Sequence, residues 1–203
     1  MTEPDFEVTL REWQRRKAFV GFTDEDAELL RELRPIAEAS VDDVVEGLYD
    51  RFLQFEETRV FFPDDSALSR VKALQKEYFL KLTRGEYGED YLRDRMRVGR
   101  THHRIGLSPG WYIAAYSTYI LLAVPHVITA FGSDRSKAWR MSQALIKLMV
   151  LDMGVTIMTY VSEAEAVIQR QSHEILELST PVIQVWDGVL VAPLIGTLDS
   201  QRT

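Results

Sequence analysis

Hydrophobic residues recur along most of this chain at spacings of three and four, which is the period of an amphipathic helix. Proline, glycine or a group of capping residues separates one periodic stretch from the next. The pattern predicts helices over approximately residues 10–19, 27–38, 40–54, 67–82, 90–105, 109–130 and 135–178. Since residues 8–172 are periodic almost throughout and contain no internal repeat, the sequence predicts an all-α fold.

Polar residues at the breaks indicate where several helices begin. Thr23, followed by three acidic residues, is typical of a capped helix start before Ala27. Ser40 is placed to cap the next helix, and Pro63 breaks the chain before the helix after that. Pro109 stands at the start of a long helix, a position that proline favours.

The last predicted helix carries a second apolar pattern beyond residue 160. Its mostly apolar positions alternate at spacings of three and four, which is typical of a coiled-coil seam. These positions are Val161, Ala164, Ile168, Gln171, Ile175 and Leu178. One interpretation is that this stretch packs on the core of its own chain. We favour the other, a homodimer in which two copies pair along the seam, because little core remains beyond residue 165.

The pattern changes again after Thr180. Residues 182–186 and 189–191 resemble strands, and Asp187-Gly188 between them is a strong hairpin signal. A lone hairpin is only marginally stable in water, so we interpret it as the start of an α/β domain that is cut short. The predicted parts are a helical domain over 1–165, a coiled-coil linker over 166–179 and the beginning of a second domain over 180–203.

Composition limits the classes of function. Of the 203 residues, 46% are hydrophobic, and the net charge of -7 provides no basic surface for nucleic acid or anionic membranes. Cysteine is absent from the sequence, which excludes disulfides, thiolate metal sites and cysteine nucleophiles. The longest apolar stretch, residues 113–131, contains tyrosine, proline and histidine and is interpreted as a buried helix. We therefore expect a cytoplasmic protein that binds neither nucleic acid nor membrane.

The clearest candidate chemistry lies in residues 101–112, where one helix ends in two histidines and the next begins with aromatic residues. On a helical wheel His102 lies within the apolar face, whereas His103 lies about 100° away at its edge. Gly99 flanks His102, and glycine on an inward face indicates close approach, here by a large flat ligand. Arg95 interrupts the same face and is placed either to reach a carboxylate of a ligand or to extend to solvent.

A histidine on an apolar face is more often a hydrogen-bonded core residue than a ligand, and the wheel leaves this interpretation open. His126 and His173 are far away in sequence, and no acidic residue follows His102 by three or four positions, so a zinc-type cluster is not expected. If His102 binds a metal, one protein ligand must suffice. Haem meets that condition, because the porphyrin supplies four nitrogens and the protein one axial imidazole.

The sequence around His102 resembles the HxRIGLxPxWY signature of globin-coupled sensors. The residues that carry the signature are His102–Leu107, Pro109, Trp111 and Tyr112. Upstream, Leu48–Phe52 and Phe55–Arg59 are similar to the second globin helix of that family and the turn after it. The resemblance covers roughly residues 15–170. It implies a globin fold with an extra N-terminal helix, a reduced short-helix region after the second globin helix, and a long C-terminal helix that extends into the linker.

The resemblance also implies haem b as the cofactor, with its iron bound by His102 on the proximal side, in agreement with the wheel. Tyr49 corresponds to the distal tyrosine, which would donate a hydrogen bond to O2 and favour it over CO. On the wheel alone, Tyr49 is a boundary residue. The other implied haem contacts are Val71, Leu74 and Tyr78 on the distal wall, Phe52 or Phe55 against the porphyrin, and Trp111 and Tyr112 behind His102.

The tail from Glu177 onward resembles the opening of a STAS domain, in particular that of stressosome sensors of the RsbR type. This resemblance implies a scaffold that assembles with stressosome proteins and is phosphorylated by a partner kinase. Ser200 corresponds to a phosphorylated threonine of that family, and the alternative for Ser200 is a polar residue at a helix start.

Three functions are compatible with these patterns. We expect a haem-based sensor of O2, with CO and NO as alternative gases, that transmits its ligand state through the dimeric linker to the STAS domain. A haem-free, globin-like stressosome sensor is the alternative. A haem enzyme such as a nitric oxide dioxygenase or a peroxidase is the third, but we find neither a reductase domain nor a distal histidine and expect no catalysis.

Overall fold

The computed structural model describes residues 3–178 and 183–191 of the chain. This part is helical up to residue 178 and ends in a two-stranded hairpin. The elements are α1 (Glu3–Phe19), α2 (Asp24–Glu32), α3 (Arg34–Leu53), α4 (Glu56–Arg59), α5 (Asp65–Lys81), α6 (Glu89–Arg104), α7 (Pro109–Ala130), α8 (Arg135–Leu178), β1 (Ile183–Trp186) and β2 (Val189–Val191). The predicted all-α character of residues 8–172 is confirmed.

The chain divides into two compact units, Met1–Tyr160 and Val161–Thr203. The first unit contains α1 to α7 and the beginning of α8, and it holds the hydrophobic core. The second contains the remainder of α8 and the hairpin of β1 and β2. The candidate site residues named from the sequence all lie in the first unit.

The boundary between α2 and α3 lies earlier than predicted, at Leu33. Pro35 occupies the first turn of α3, where a proline leaves no backbone donor unpaired. Ser40, predicted to be a cap, lies buried inside α3 and donates its hydroxyl to the carbonyl of Ile36 at 2.8 Å. The prediction was wrong because a serine within a helix can satisfy its hydroxyl at the carbonyl one turn back.

Helix α3 lies within the core of the first unit and packs against α5 and α7. Val44 and Val45 are completely buried, and Leu48 is nearly so. Gly47 allows α7 to approach, because a Cβ at that position would lie 3.1 Å from a methyl carbon of Leu122. Each fully buried Val or Leu contributes about 1.5–3 kcal/mol, so α3 supplies a substantial part of the stability of this unit.

An ion pair ties the start of α2 to α8. Asp26 accepts a hydrogen bond from the backbone N–H of Thr23 at 2.8 Å, as the predicted capped start requires. The same buried carboxylate accepts bonds from Lys147 Nζ at 3.0 and 3.1 Å. Lys147 also donates to the carbonyl of Gly21 at 2.7 Å, so one side chain holds both the turn and the helix that follows it.

In the second unit, β1 and β2 pair antiparallel and confirm the hairpin predicted at Asp187–Gly188. Gly188 has a φ of 78°, which is the left-handed region that favours glycine. The register shifts between Gln184 and Trp186, so a bulge adjusts the strands to the turn. Ser200, for which a phosphorylation site was considered, lies outside the described residues.

Two helices of the described part are long and apolar enough to cross a membrane by length and composition: α7, and α8 as far as Ile175. Both contribute to the core of the first unit, as the helices of a globular domain do. Tyr112, Tyr116 and Tyr119 of α7 are buried there, as is Leu148 of α8.

Candidate functional site

Six of the eleven predicted site residues lie on α5 and α6, two helices joined by a short loop. Near the connecting loop, the guanidinium carbon of Arg95 lies 4.2 Å from the ring centre of Tyr78, which holds the two helices together. Further from the loop, α6 carries His102 and α5 carries Val71 and Leu74. Val71 packs partly buried against the core, whereas Leu74 is 59% exposed. α5 therefore presents apolar surface to the exterior of the chain.

His102 lies half-buried in the last turn of α6, with its ring edge against Tyr112 at 4.9 Å between ring centres. Its Nδ1 lies 2.8 Å from the carbonyl oxygen of Val98. Because a carbonyl oxygen only accepts, Nδ1 carries the proton and Nε2 keeps its lone pair. Burial lowers the pKa of His102 from 6.5, although the bond to Val98 opposes this effect. The neutral ring with an unprotonated Nε2 is the form that binds metals.

The surroundings of His102 suit a metal that brings its other ligands with it. Within residues 3–178 and 183–191, no group of three or more histidine and acidic side chains could hold an ion. His103 does not join His102, because its ring lies edge-on to Tyr160 at 4.8 Å. A flat, largely apolar macrocycle that needs one axial imidazole fits this donor set and the exposed Leu74.

Tyr49 on α3 is 5% exposed, although the wheel indicated a boundary residue. Its ring packs edge-on against Phe52 at 5.4 Å and against Phe62 at 5.3 Å. The wheel was wrong here because these two side chains, one from the same helix and one from a later segment, cover the ring. Burial raises the pKa of Tyr49 above its ordinary value, so the hydroxyl stays protonated and can donate a hydrogen bond.

Phe55 and Trp111 contact each other, with ring centres 5.5 Å apart, where α4 and α7 begin. The sequence placed Trp111 behind His102 together with Tyr112. Of these two, Tyr112 makes the ring contact with His102. Phe55 is 41% exposed and stands apart from the rings that pack on Tyr49.

Gly99 faces α8 rather than a space beside His102. A Cβ there would lie 2.8 Å from Thr159 Cβ and 3.0 Å from the carbonyl oxygen of Thr156. The close approach predicted from Gly99 therefore exists, but a neighbouring helix makes it. The interpretation of Gly99 as a contact for a flat ligand is corrected accordingly.

A buried polar cluster joins four helices of the first unit. At its centre is Asp152 of α8, which is 0% exposed and accepts hydrogen bonds on Oδ2 from Tyr78 at 2.9 Å and Tyr91 at 2.6 Å. Arg95, 1% exposed, has Nη1 3.5 Å from the same oxygen and pairs with Asp94 as well. Of the two positions considered for Arg95, extension to solvent is wrong, because the side chain is buried and pairs with Asp152 and Asp94.

Tyrosines of α7 extend this cluster to the ring beside His102. The hydroxyl of Tyr116 is hydrogen-bonded to that of Tyr78 and accepts from Tyr112 at 3.3 Å. Tyr112 also lies 3.0 Å from Thr156 Oγ1 on α8. We call this group the Asp152 cluster. Its members are Asp152, Arg95, Tyr78, Tyr91, Tyr116, Tyr112 and Thr156. Tyr78, predicted to line the distal wall, directs its hydroxyl into this cluster instead.

The charge state of Asp152 depends on its burial. Burial raises the pKa of Asp152 from 3.8 to about 6, while Arg95 and the hydroxyls of Tyr91 and Tyr78 oppose the rise. Arg95, whose Nη1 lies 3.5 Å from Oδ2, is the charge that favours the ionised carboxylate.

Comparison with known sequences and structures identifies the family of this chain. The Protoglobin family model matches residues 9–166. The chain belongs to the protoglobin family. This membership, with the helical arrangement of the first unit, confirms the predicted globin fold.

Individual relatives of this protoglobin chain include the heme-based aerotactic transducer HemAT of Halobacterium salinarum, which is 31% identical over 169 residues. That match covers 79% of this chain and 34% of the transducer, so the chain spans about a third of that curated relative. The globin domain of a Geobacter sulfurreducens globin-coupled sensor is 28% identical, with a TM-score of 0.69, covering 72% of this chain and 96% of that domain.

The ferric globin domain of E. coli DosC shares the fold at 15% identity, with a TM-score of 0.61, covering 71% of this chain and 97% of that one. Its ferrous form gives a TM-score of 0.62 at 15% identity and covers 72% and 97%. At this level of identity the likeness concerns the fold alone.

The protoglobin site contains residues that sequence reasoning missed. Phe62, which covers Tyr49, follows a short apolar stretch that gave no periodic signal. Asp152 had a usable signal, because it is the single charged residue within 148–162, and a lone charge on a core helix usually has a buried partner. Tyr116, four residues after Tyr112, had the spacing that places both on one face of α7.

Proposed function

We propose that this chain is the haem-binding, gas-sensing domain of a signal-transduction protein, with haem b as cofactor and His102 as the axial ligand. When bound, haem supplies an iron centre that takes O2, with CO and NO as alternative gases. The printed descriptions of the relatives, a heme-based transducer and a globin-coupled sensor, support this proposal.

The observation that carries the proposal is the hydrogen bond from His102 Nδ1 to the carbonyl of Val98. It fixes the ring orientation and tautomer, and it leaves Nε2 for a metal. The exposed Leu74 of α5 adds an apolar surface that a porphyrin would cover. The imidazole of His102 would hold the cofactor, and the iron would supply the site that takes the gas.

Absorption spectra of the purified protein test this assignment. We expect a Soret band that His102→Ala abolishes and His103→Ala retains. The two residues are neighbours of the same type, so the second variant controls for the loss of a histidine at the end of α6. A wild-type chain without a Soret band after loading with haem would instead support the haem-free alternative, a globin-like sensor or scaffold.

Tyr49 is proposed as the residue that stabilises O2 through a hydrogen bond from its buried phenol. A hydrogen bond to a charged acceptor contributes about 1.5–3 kcal/mol, so Tyr49→Phe should accelerate O2 dissociation by about ten- to hundred-fold. CO serves as the internal control, because it accepts hydrogen bonds more weakly than O2 and its dissociation should change much less. Equal O2 dissociation rates in the two proteins would contradict the role of Tyr49.

A homodimer is proposed as the form that transmits the signal. In the single chain, large apolar residues are exposed on α7 and α8: Leu121, Ile128, Trp139, Val150, Val161, Ile168 and Ile175. Trp139 and Val150 lie eleven residues apart and therefore on one face of α8. Trp139→Glu should weaken self-association in analytical ultracentrifugation, and a wild-type chain that is monomeric at all concentrations would refute the dimer.

For the output we propose a STAS domain beginning near residue 180, which would place the protein in a stressosome with a partner kinase. The hairpin of β1 and β2 is compatible with such a start. Phosphate incorporation by the kinase, lost in Ser200→Ala, is the expected result. Failure of the full-length protein to assemble with stressosome proteins would favour another output, such as that of an aerotactic transducer.

We propose a cytoplasmic, non-catalytic protein. The relatives are named as transducers and sensors, and Tyr49 with its phenylalanine neighbours provides no acid–base pair on the distal side. Steady turnover of nitric oxide or peroxide by the haem-loaded chain would contradict this part of the proposal.

A further inference from the structure

The proposed gas-binding role accounts for His102 and Tyr49 but not for the Asp152 cluster. Removing a carboxylate and a guanidinium from water is costly, and two apolar side chains would often serve stability better. In this cluster the buried polar atoms are also only partly hydrogen-bonded. Nε and Nη1 of Arg95 and Oδ1 of Asp152 are buried without a hydrogen-bond partner. A cluster that is costly for stability indicates another role.

The cluster forms a continuous path from α8 to the imidazole of His102. Starting at Asp152, hydrogen bonds link the hydroxyls of Tyr78, Tyr116 and Tyr112 in turn. The ring of Tyr112 then packs against the edge of the His102 ring at 4.9 Å. The steps from Asp152 to Tyr112 are hydrogen bonds and the last step is a ring contact, so displacement of one end is resisted along the path.

The path contacts α8 at two residues. Asp152 and Thr156 are one turn apart on α8, and Thr156 lies 3.0 Å from the hydroxyl of Tyr112. Gly99 brings the backbone of α6 directly against this part of α8. Helix α6 carries the proposed iron ligand. It therefore contacts α8 closely through its backbone and is linked to it by side-chain hydrogen bonds.

We propose that Asp152 is a positioning residue for His102: through Tyr78, Tyr116 and Tyr112 it sets the orientation of the imidazole relative to α8. The inference rests on the proposed haem-binding role of His102. Its consequence is reciprocal, because any energetic coupling between two positions acts in both directions. A displacement of the His102 imidazole would alter the hydrogen bonds that α8 receives, and a shift of α8 would alter the orientation of that imidazole.

The charges around Asp152 make its ionised form the one that organises the path. From α6, Arg95 supplies the opposing charge and Tyr91 a hydroxyl, with Asp94 next to Arg95. From α5, Tyr78 donates a hydroxyl, and from α7, Tyr116 joins through it. A neutral group in place of the carboxylate accepts these hydrogen bonds less strongly, and the tyrosines lose their common acceptor.

The test uses the full chain loaded with haem and three variants. Asp152→Asn keeps the shape of the side chain and removes the charge, and Tyr116→Phe removes one link of the path. Tyr119→Phe is the matched control for the frequency, because Tyr119 lies on α7 one turn from Tyr116, is also buried, and has its hydroxyl outside the path. The measurements are the iron–histidine stretching frequency by resonance Raman spectroscopy and the O2 dissociation rate.

We expect Asp152→Asn and Tyr116→Phe to shift the iron–histidine frequency in the same direction and to change O2 dissociation by about two- to thirty-fold. Tyr119→Phe should leave the iron–histidine frequency unchanged. If Asp152→Asn does not fold, Tyr116→Phe and its control carry the comparison. Lower stability with an unaltered frequency in both path variants would reduce the cluster to a structural role and overturn the proposal.

Failure of the proposed function is distinguishable from failure of this inference. A wild-type Soret band that survives His102→Ala would reject His102 as the ligand, and the inference with it. A His102-dependent Soret band with variant frequencies equal to that of the wild type would reject the positioning role of Asp152 alone.

Discussion

Gly99→Ala tests the close contact between α6 and α8 on which the position of His102 depends. The added methyl group would lie 2.8 Å from Thr159 Cβ and 3.0 Å from the carbonyl oxygen of Thr156. Neither atom is the mobile end of a long side chain, so the helices must move apart. Overpacking of this kind costs about 1–3 kcal/mol, and alanine in a helix recovers up to about 1 kcal/mol. We therefore expect a net loss of about 1–2 kcal/mol in the free energy of unfolding.

Urea unfolding followed by far-ultraviolet circular dichroism provides the measurement, with Gly110→Ala as the control. Gly110 is also helical, in the first turn of α7, but a Cβ there would approach nothing nearer than Ser108 Oγ at 3.6 Å. This control should be as stable as the wild type or slightly more stable. A Gly99→Ala protein that is no less stable than its control would refute the close contact between the helices.

Two further predictions concern buried carboxylates. Burial raises the pKa of Asp152 from 3.8 to about 6, so the folded protein holds the proton of this carboxyl group more tightly than the unfolded chain does. The contribution of Asp152 to stability is therefore largest below pH 4. The difference in unfolding free energy between the wild type and Asp152→Asn should fall by about 2 kcal/mol as the pH rises from 4 to 7, and a rising or constant difference would contradict the raised pKa. Asp26→Asn keeps an acceptor for Thr23 but removes the charge that faces Lys147, and thermal unfolding should show a loss of about 1–2 kcal/mol. In high salt this loss should change little, since Asp26 is buried.

Periodicity predicted the succession of helices because each buries one face in a shared core. The long helices α7 and α8 begin and end close to where proline, glycine and apolar spacing placed them. The break between α2 and α3 was missed because Leu33 keeps helical dihedral angles and Ser40 satisfies its hydroxyl inside the helix. In that region the sequence contains a plausible cap that the fold does not use.

The candidate site was predictable where one helix determines it and less so where several meet. His102 was singled out from one wheel, since the apolar face on which it lies and its hydrogen bond to Val98 both belong to α6. The Asp152 cluster was not, because its residues come from four helices whose relative placement no single wheel contains. Gly99 illustrates the same limit: its size indicated close contact, but only the packing identifies α8 as the partner.

The hydrogen bond from His102 to Val98 has a consequence for the proposed binding of haem. Donor and acceptor belong to the same helix, so the imidazole takes its binding tautomer as soon as α6 forms. The contact of Arg95 with Tyr78 joins α5 and α6 near their connecting loop using protein groups alone. Little ordering entropy then remains to be lost on binding, which favours affinity. The orientation of the imidazole is therefore set by its own helix and not by the group that it is proposed to bind.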